Sequence, residues 1–260
     1  MSVYVYAVVG AGHELAAGLR GVGERPSSVA LLRNAEGEPA AVTGAAPTGL
    51  RARRRDLNAH QDVLETLMRS GPVLPMRFGV VLPDERTVRD QLTAHAAEYA
   101  AVLERVEGRV EFNVKALPVQ DETALATLLR EDPALRELRR STSRRPAYEA
   151  NVRFGRAVAE ALTRRAARCA ERVRAALEER AAEVSEGPEV DACVLNTSYL
   201  VPRGTEAAFR ALVERQAAAE RGRIEVRLTG PLPCYSFVGS GSARTVPASS
   251  PSAAPSSAGV

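Results

Sequence analysis

Three histidines and three cysteines are the residues best equipped for chemistry, and their spacing decides what chemistry is open to them. His13, His60, His95, Cys169, Cys193 and Cys234 are scattered along a chain of 260 residues. A tetrahedral zinc site needs ligands in close pairs, such as a CxxC or two histidines four apart on a helix. Neither pattern occurs, and "LNAHQDVLE" gathers only His60, Asp62 and Glu65. No metal site is expected. There is no GxSxG elbow to raise a serine at a strand-to-helix turn. "VVGAGHELAAG" follows a strand-like run and begins like a dinucleotide loop. Its third glycine position holds Leu15, and the helix-like piece from His13 to Leu19 is too short to present its N-terminus to a pyrophosphate. No catalytic, cofactor or metal constellation emerges. His60 and His95 are read as packing or surface residues of amphipathic helices.

The basic clusters are the next candidates. "RARRR" spans residues 51–55 and "RRSTSRR" residues 139–145. The whole chain carries 35 basic against 32 acidic residues, a net +3 that describes a mixed surface and not a nucleic-acid footprint. No aromatics interleave the arginines, so bases would find no stacking platform. Arg53, Arg54 and Arg55 are instead candidates for docking an acidic protein surface. The sparse, odd cysteine count suits a reducing compartment. The opening residues lack the basic and apolar regions of a signal peptide. No apolar run approaches the ~20 residues of a membrane span. A soluble cytoplasmic protein is expected.

The elements that must position these residues can be read from periodicity. "VYVYAVVG" is a strand, and "SVALLRN" and "PAAVTG" flank a turn and read as a hairpin. Leu57, His60, Val63, Leu64, Leu67 and Met68 recur at helical spacing. "PDERTVRDQLTAHAAEYAAVLERVEG" reads as one helix, with Asp84 as its cap and Gly108 at its end. "RVEFNVKAL" alternates, placing Val110, Phe112, Val114 and Ala116 on one face and Glu111, Asn113 and Lys115 on the other. Two short helices break at Pro133. A long helix follows over residues 147–184, with a thin seam of Tyr148, Val152, Gly155, Ala159, Leu162, Ala166, Cys169 and Val173. A strand, a helix with Thr205 as candidate cap, and a final strand complete the order. The pattern predicts an α+β protein of two domains, residues 1–107 and 108–239, each with a small mixed or antiparallel sheet and helices on one face. Residues 240–260, mostly Gly, Ser, Ala and Pro, read as a disordered tail.

One arginine stands out. Arg77 lies inside the apolar run "SGPVLPMRFGVVLPDE", next to Phe78. It is expected to pair with a carboxylate or with helix-end carbonyls and to organise the junction between the two halves. The other reading open to it is an outward-facing residue that binds a partner.

The same run carries a resemblance. "HQDVLETLMRSGPVLPMRFGVVLPDE" resembles the most recognisable segment of the gas vesicle protein F/L family, where a histidine-bearing helix, an apolar strand and an LPxRFG turn run together. Here these are His60, Leu64, Leu74, Pro75, Arg77, Phe78 and Gly79. "MSVYVYAVV" resembles the family's opening strand and "GRVEFNVKAL" its central strand. "SYLVPRGTEAAFRALV" and "LTGPLPCYSFV" resemble its closing unit, with Leu232 and Cys234 where GPWPPYSFV has Trp and Pro. The resemblance covers residues 1–239. It implies a two-domain α+β protein with ferredoxin-like features, needed to form gas vesicles. Such a protein would bind the small hydrophobic shell protein and other accessory proteins, and touch the gas-facing side of the shell. It implies no catalytic residues; no cofactor is expected, and composition and run lengths argue against nucleic acid or membrane as a partner. Arg77, Phe78, Tyr235 and Phe237 join residues 53–55 as candidate junction or partner-binding residues. Two other readings stay open. One is a small-molecule binder or enzyme on a ferredoxin-like scaffold; the other is a nucleic-acid-associated regulator.

Overall fold

The computed structural model describes residues 1–37, 39–144 and 148–238. The disordered-tail expectation therefore lies outside the described residues. The chain forms two small antiparallel sheets with helices packed on them.

The first sheet is built from β1 (Val3–Val9), β2 (Ala30–Arg33), β3 (Ala40–Ala45), β4 (Val73–Pro75) and β5 (Val81–Leu82). Its order is β2-β3-β1-β4, with β5 also pairing β1. Every residue of β1 is buried, because helices cover both faces of the sheet. On one face, α1 (Arg54–Ser70) packs Val63, Leu64 and Leu67 against Tyr4 and Tyr6. On the other, α2 (Glu85–Ala94) and α3 (Ala96–Val106) pack Val88, Leu92 and Leu103 against Val3, Val5 and Val8. This corrects the expectation of helices on one face only. A register shift between Val5 and Ala7 swaps the inward parity of β1, so Tyr4, Tyr6, Ala7 and Val9 share one core. α2 and α3 also correct the expected single helix. The break falls at His95, yet the apolar spacing of Val88, Leu92, Tyr99, Leu103 and Val106 runs on through it and conceals it. Asp84 does cap α2, accepting from the Thr87 N–H at 2.8 Å. Residues 13–19 form turns and no helix.

The second sheet contains β6 (Arg109–Pro118), β7 (Glu183–Glu186), β8 (Leu195–Pro202) and β9 (Ile224–Leu232), in the order β7-β8-β6-β9. With α6 (Tyr148–Glu178) between β6 and β7 and α7 (Glu206–Ala219) between β8 and β9, this is the βαββαβ arrangement of ferredoxin-like folds. α4 (Glu122–Glu131) and α5 (Pro133–Arg144) are inserted between β6 and α6. The expected alternation of β6 holds, with Val110, Phe112, Val114 and Ala116 all buried under α6 and α7. Three boundaries differ from expectation. α6 ends at Glu178, and Glu183–Glu186 is a strand paired with β8. Residues 139–144 of "RRSTSRR" lie inside α5, not at a helix start or between helices. Thr205 precedes α7 but makes no capping bond; its hydroxyl donates to the Pro202 carbonyl at 2.8 Å.

Gly230 shows why β9 needs a glycine where it passes β6. Its φ is +139°, and a Cβ there would lie 2.7 Å from the Phe112 ring and 2.8 Å from the Glu111 carbonyl.

Candidate functional site

The chain after β9 turns back and packs against both sheets. Its short 3₁₀ turn, Tyr235–Phe237, brings the closing motif to the helix and strand that carry His60, Tyr4 and Phe78. This junction is the densest cluster of polar aromatic side chains in the described residues.

Each atom of the cluster has a partner. The His60 ring sits on the inward face of α1, with Nδ1 2.9 Å from the Tyr4 hydroxyl and Nε2 3.1 Å from the Met76 carbonyl. A carbonyl only accepts, so the proton belongs on Nε2 and the Tyr4 hydroxyl donates to Nδ1. The Tyr4 oxygen in turn accepts from the Gly79 N–H at 3.1 Å. The Tyr235 hydroxyl oxygen, 3.3 Å from Nε2, is a second and longer acceptor of the same N–H. Tyr6 stacks on the imidazole at 5.7 Å between centroids, and Phe78 meets it edge-on at 5.8 Å. Burial pushes the His60 pKa down, and the Met76 carbonyl, acting the other way, does not offset it. The neutral ring is thus the form this site holds. Burial also raises the phenol pKa of Tyr4 and Tyr6, and pushes that of Tyr235, with help from Glu111, up to about 12.

A second contact locks the closing segment. Glu111 stands on the face of β6 that alternation assigns to solvent, yet it is only 3% exposed. Its two carboxylate oxygens accept from the Ser236 N–H at 2.9 Å and the Ser236 hydroxyl at 2.7 Å. Phe237 is buried beside Val106, Leu200 and Cys234. Burial, reinforced by Glu111, pushes the Cys234 thiol up to about 12, so it stays a thiol.

The candidate residues separate cleanly. Phe78, Tyr235 and Phe237 are packing residues of the junction. Arg77 is exposed and its side chain has no hydrogen bond or ion pair among the described residues, which corrects the expected pairing. Arg53 and Arg55 reach Glu24 at 3.1 and 3.9 Å, and Arg55 also contacts the buried Asp56 at 3.2 Å. Burial pushes the Asp56 carboxyl up, but Arg55 and the Gly23 N–H outweigh it and hold the group below its usual range. Arg54 is exposed and has no side-chain hydrogen bond or ion pair among the described residues. Sequence reasoning missed Glu111, Ser236 and the two inward tyrosines; the i, i+2 spacing of Tyr4 and Tyr6 was the available signal for the last pair.

A cleft of about 330 Å³ lies between the sheets and includes Arg109 and Arg203 in its lining. Both guanidiniums are occupied with carbonyls at helix ends, Arg203 with that of Met68 at 2.8 Å and Arg109 with that of Arg105. Among the described residues no group of three or more His, Cys, Asp or Glu side chains is placed to hold a metal ion. None of the described helices is long and apolar enough to cross a membrane. An open helix face does stand out. The first half of the α6 seam is exposed, with Tyr148 at 85% and Val152 at 46%, whereas Leu162 is buried against α4 and α5 and Ala166, Cys169 and Val173 are buried on the sheet.

Fold and site together define an α+β protein of two antiparallel sheets, the second ferredoxin-like, tied by a buried aromatic junction. The family model for gas vesicle synthesis protein GvpL/GvpF matches residues 2–239. A gas vesicle protein F from Streptomyces sp. is 37% identical over 243 residues, covering 92% of this chain and all of that protein. A gas vesicle protein L from Streptomyces sp. is 36% identical over 258 residues, covering 91% and 92% of the two chains. Crystal structures of GvpF from Microcystis aeruginosa and Anabaena sp. superpose with TM-scores of 0.69 and 0.74, at 24% and 22% identity, each covering 91% of this chain and 98% of that one. The chain belongs to the GvpL/GvpF family of gas vesicle proteins.

Proposed function

We propose that this chain is a non-catalytic accessory and minor structural protein of the gas vesicle. It binds the small hydrophobic shell protein and other accessory proteins during assembly, in the cytoplasm and at the gas-facing side of the shell. In this reading the chain has two domains, residues 1–107 and 108–239, each built on one sheet. The observation that carries the reading is the open half of α6. Tyr148 at 85% exposure and Val152 at 46% lie one turn apart, and Gly155 and Ala159 continue the exposed line. Small residues let a second helix come close, and the two larger ones supply apolar area for it to cover. A hydrophobic shell subunit fits that surface. Exposed Arg77 and Arg54 are further partner-facing groups in this reading.

The test is a pull-down with the co-expressed shell protein, comparing the full chain, a version ending at Gly239, and Tyr148→Ser with Val152→Ser. Capture by the first two and loss in the double variant, at unchanged melting temperature, supports the assignment. No capture by any version with an intact circular dichroism spectrum refutes the shell protein as partner and points to another accessory protein.

A further inference from the structure

The outer side of α4 and α5 carries a shallow groove of about 370 Å³ whose floor is Ala126 and Leu129 and whose rim is Arg130, Arg136, Arg139 and Arg140. Four guanidiniums surround an apolar floor, and few carboxylates answer them. The guanidiniums of Arg136 and Arg139 have no hydrogen bond or ion pair among the described residues. Arg130 donates only to the Thr127 hydroxyl at 3.0 Å, and Arg140 has a solvent-exposed contact with Glu137 at 3.6 Å. A ligand for this groove must bring two or more carboxylates flanking one apolar side chain.

The same chain displays such a group. Residues 188–192, between β7 and β8, are all exposed. Their tip reads Glu189-Val190-Asp191, and Val190 is an exposed apolar side chain at 44%. Neither Glu189 nor Asp191 has a hydrogen bond or ion pair among the described residues. The tip is also held in shape. The Cys193 N–H donates to the Val190 carbonyl at 3.0 Å, and Ala192 takes a φ of +60°, unusual for a residue with a Cβ. A preformed turn loses less entropy on docking than a mobile loop. The turn is anchored where Val194 donates to the Ala116 carbonyl at 2.8 Å, at the end of β6 from which the chain passes into α4.

We propose that the groove receives the Glu189-Val190-Asp191 turn of a second copy of this chain. Val190 covers Leu129 and Ala126, while the two carboxylates meet the rim arginines. In a two-fold pair each copy lends its turn to the groove of the other. A turn in a groove covers far less than the roughly 1,600 Å² of a standard interface. The pair is therefore weak, forms as concentration rises, and dissociates in salt.

Sedimentation equilibrium of the full chain tests this, at about 0.05 M and about 0.5 M NaCl. The expected result is a monomer–dimer equilibrium that weakens at high salt. Arg136→Glu with Arg139→Glu, and separately Glu189→Arg with Asp191→Arg, should each weaken dimerisation by about tenfold or more. Mixing the two variants should restore it, since each altered groove then faces an oppositely charged turn. Circular dichroism checks that both variants fold. A monomer at every concentration overturns the proposal, as does a dimer indifferent to both pairs of substitutions or a mixture that stays monomeric. A monomer whose groove variant loses capture by the shell protein also overturns it, and gives the groove to that partner.

Discussion

The Tyr235 hydroxyl lies 3.3 Å from Nε2 of His60, although 175 residues separate them in sequence. The contact ties the Tyr235–Phe237 turn to the first helix. Neither half of the chain can form it alone, because His60 is set by α1 on the first sheet and Tyr235 by the exit of β9 from the second. The closing motif therefore acts as a clasp: Tyr235 on the imidazole, Ser236 on Glu111, Phe237 in an apolar slot.

The imidazole is the centre of that clasp. His60→Ala should destabilise the protein by about 2–4 kcal/mol, through a cavity between Tyr4, Tyr6 and Phe78 and the loss of its three hydrogen bonds. Tyr235→Phe removes one long hydrogen bond at an unchanged ring and should cost only about 0.5–1.5 kcal/mol. Urea denaturation of both variants checks the ranking.

Acid should loosen the same site. Burial holds the pKa of His60 and of His13 below the ordinary 6.5. As pH falls through 6.5 the unfolded chain takes up protons that the folded chain does not, so these two groups draw stability down until the folded pKa values are reached. Above that window they make no difference. The urea midpoint should therefore drop between about pH 7.5 and about pH 5.5, and the slope should shrink in His60→Phe. An equal slope in the variant would remove His60 from the account.

The buried carboxylate makes a separate demand. In Ser236→Ala the Glu111 oxygen now 2.7 Å from the hydroxyl loses that donor while the residue stays 3% exposed. The expected cost is about 1–3 kcal/mol, felt mainly as release of the closing turn. Hydrogen exchange should show faster amides over residues 233–238 with little change in β1.

Arg77 should behave in the opposite way. It is exposed and touches no acceptor among the described residues, so Arg77→Ala should shift stability by less than about 0.5 kcal/mol. Thermal melts check this. If the same variant loses a pull-down partner, Arg77 belongs to a binding surface.

Local rules in the sequence determined a good deal. Strict alternation in β6 placed Val110, Phe112, Val114 and Ala116 on one buried face, because side-chain direction in a strand has a period of two. Asp84 could be read as a cap and Pro133 as a break, because both act within a turn of the backbone. The family resemblance, carried by short motifs, was equally legible. What the sequence could not show is what covers each face. Glu111 alternates outward and yet is buried, because a segment 125 residues later lies over it. The break at His95 is invisible to a periodicity that continues across it. Half of the α6 seam is core and half is surface, since the second sheet ends before the helix does. Arg77 sits in an apolar run and still faces water, because Gly79, at φ +92°, lies in the turn that follows β4, past the last buried strand residue. Those outcomes depend on contacts between residues remote in the chain, which only the tertiary structure decides.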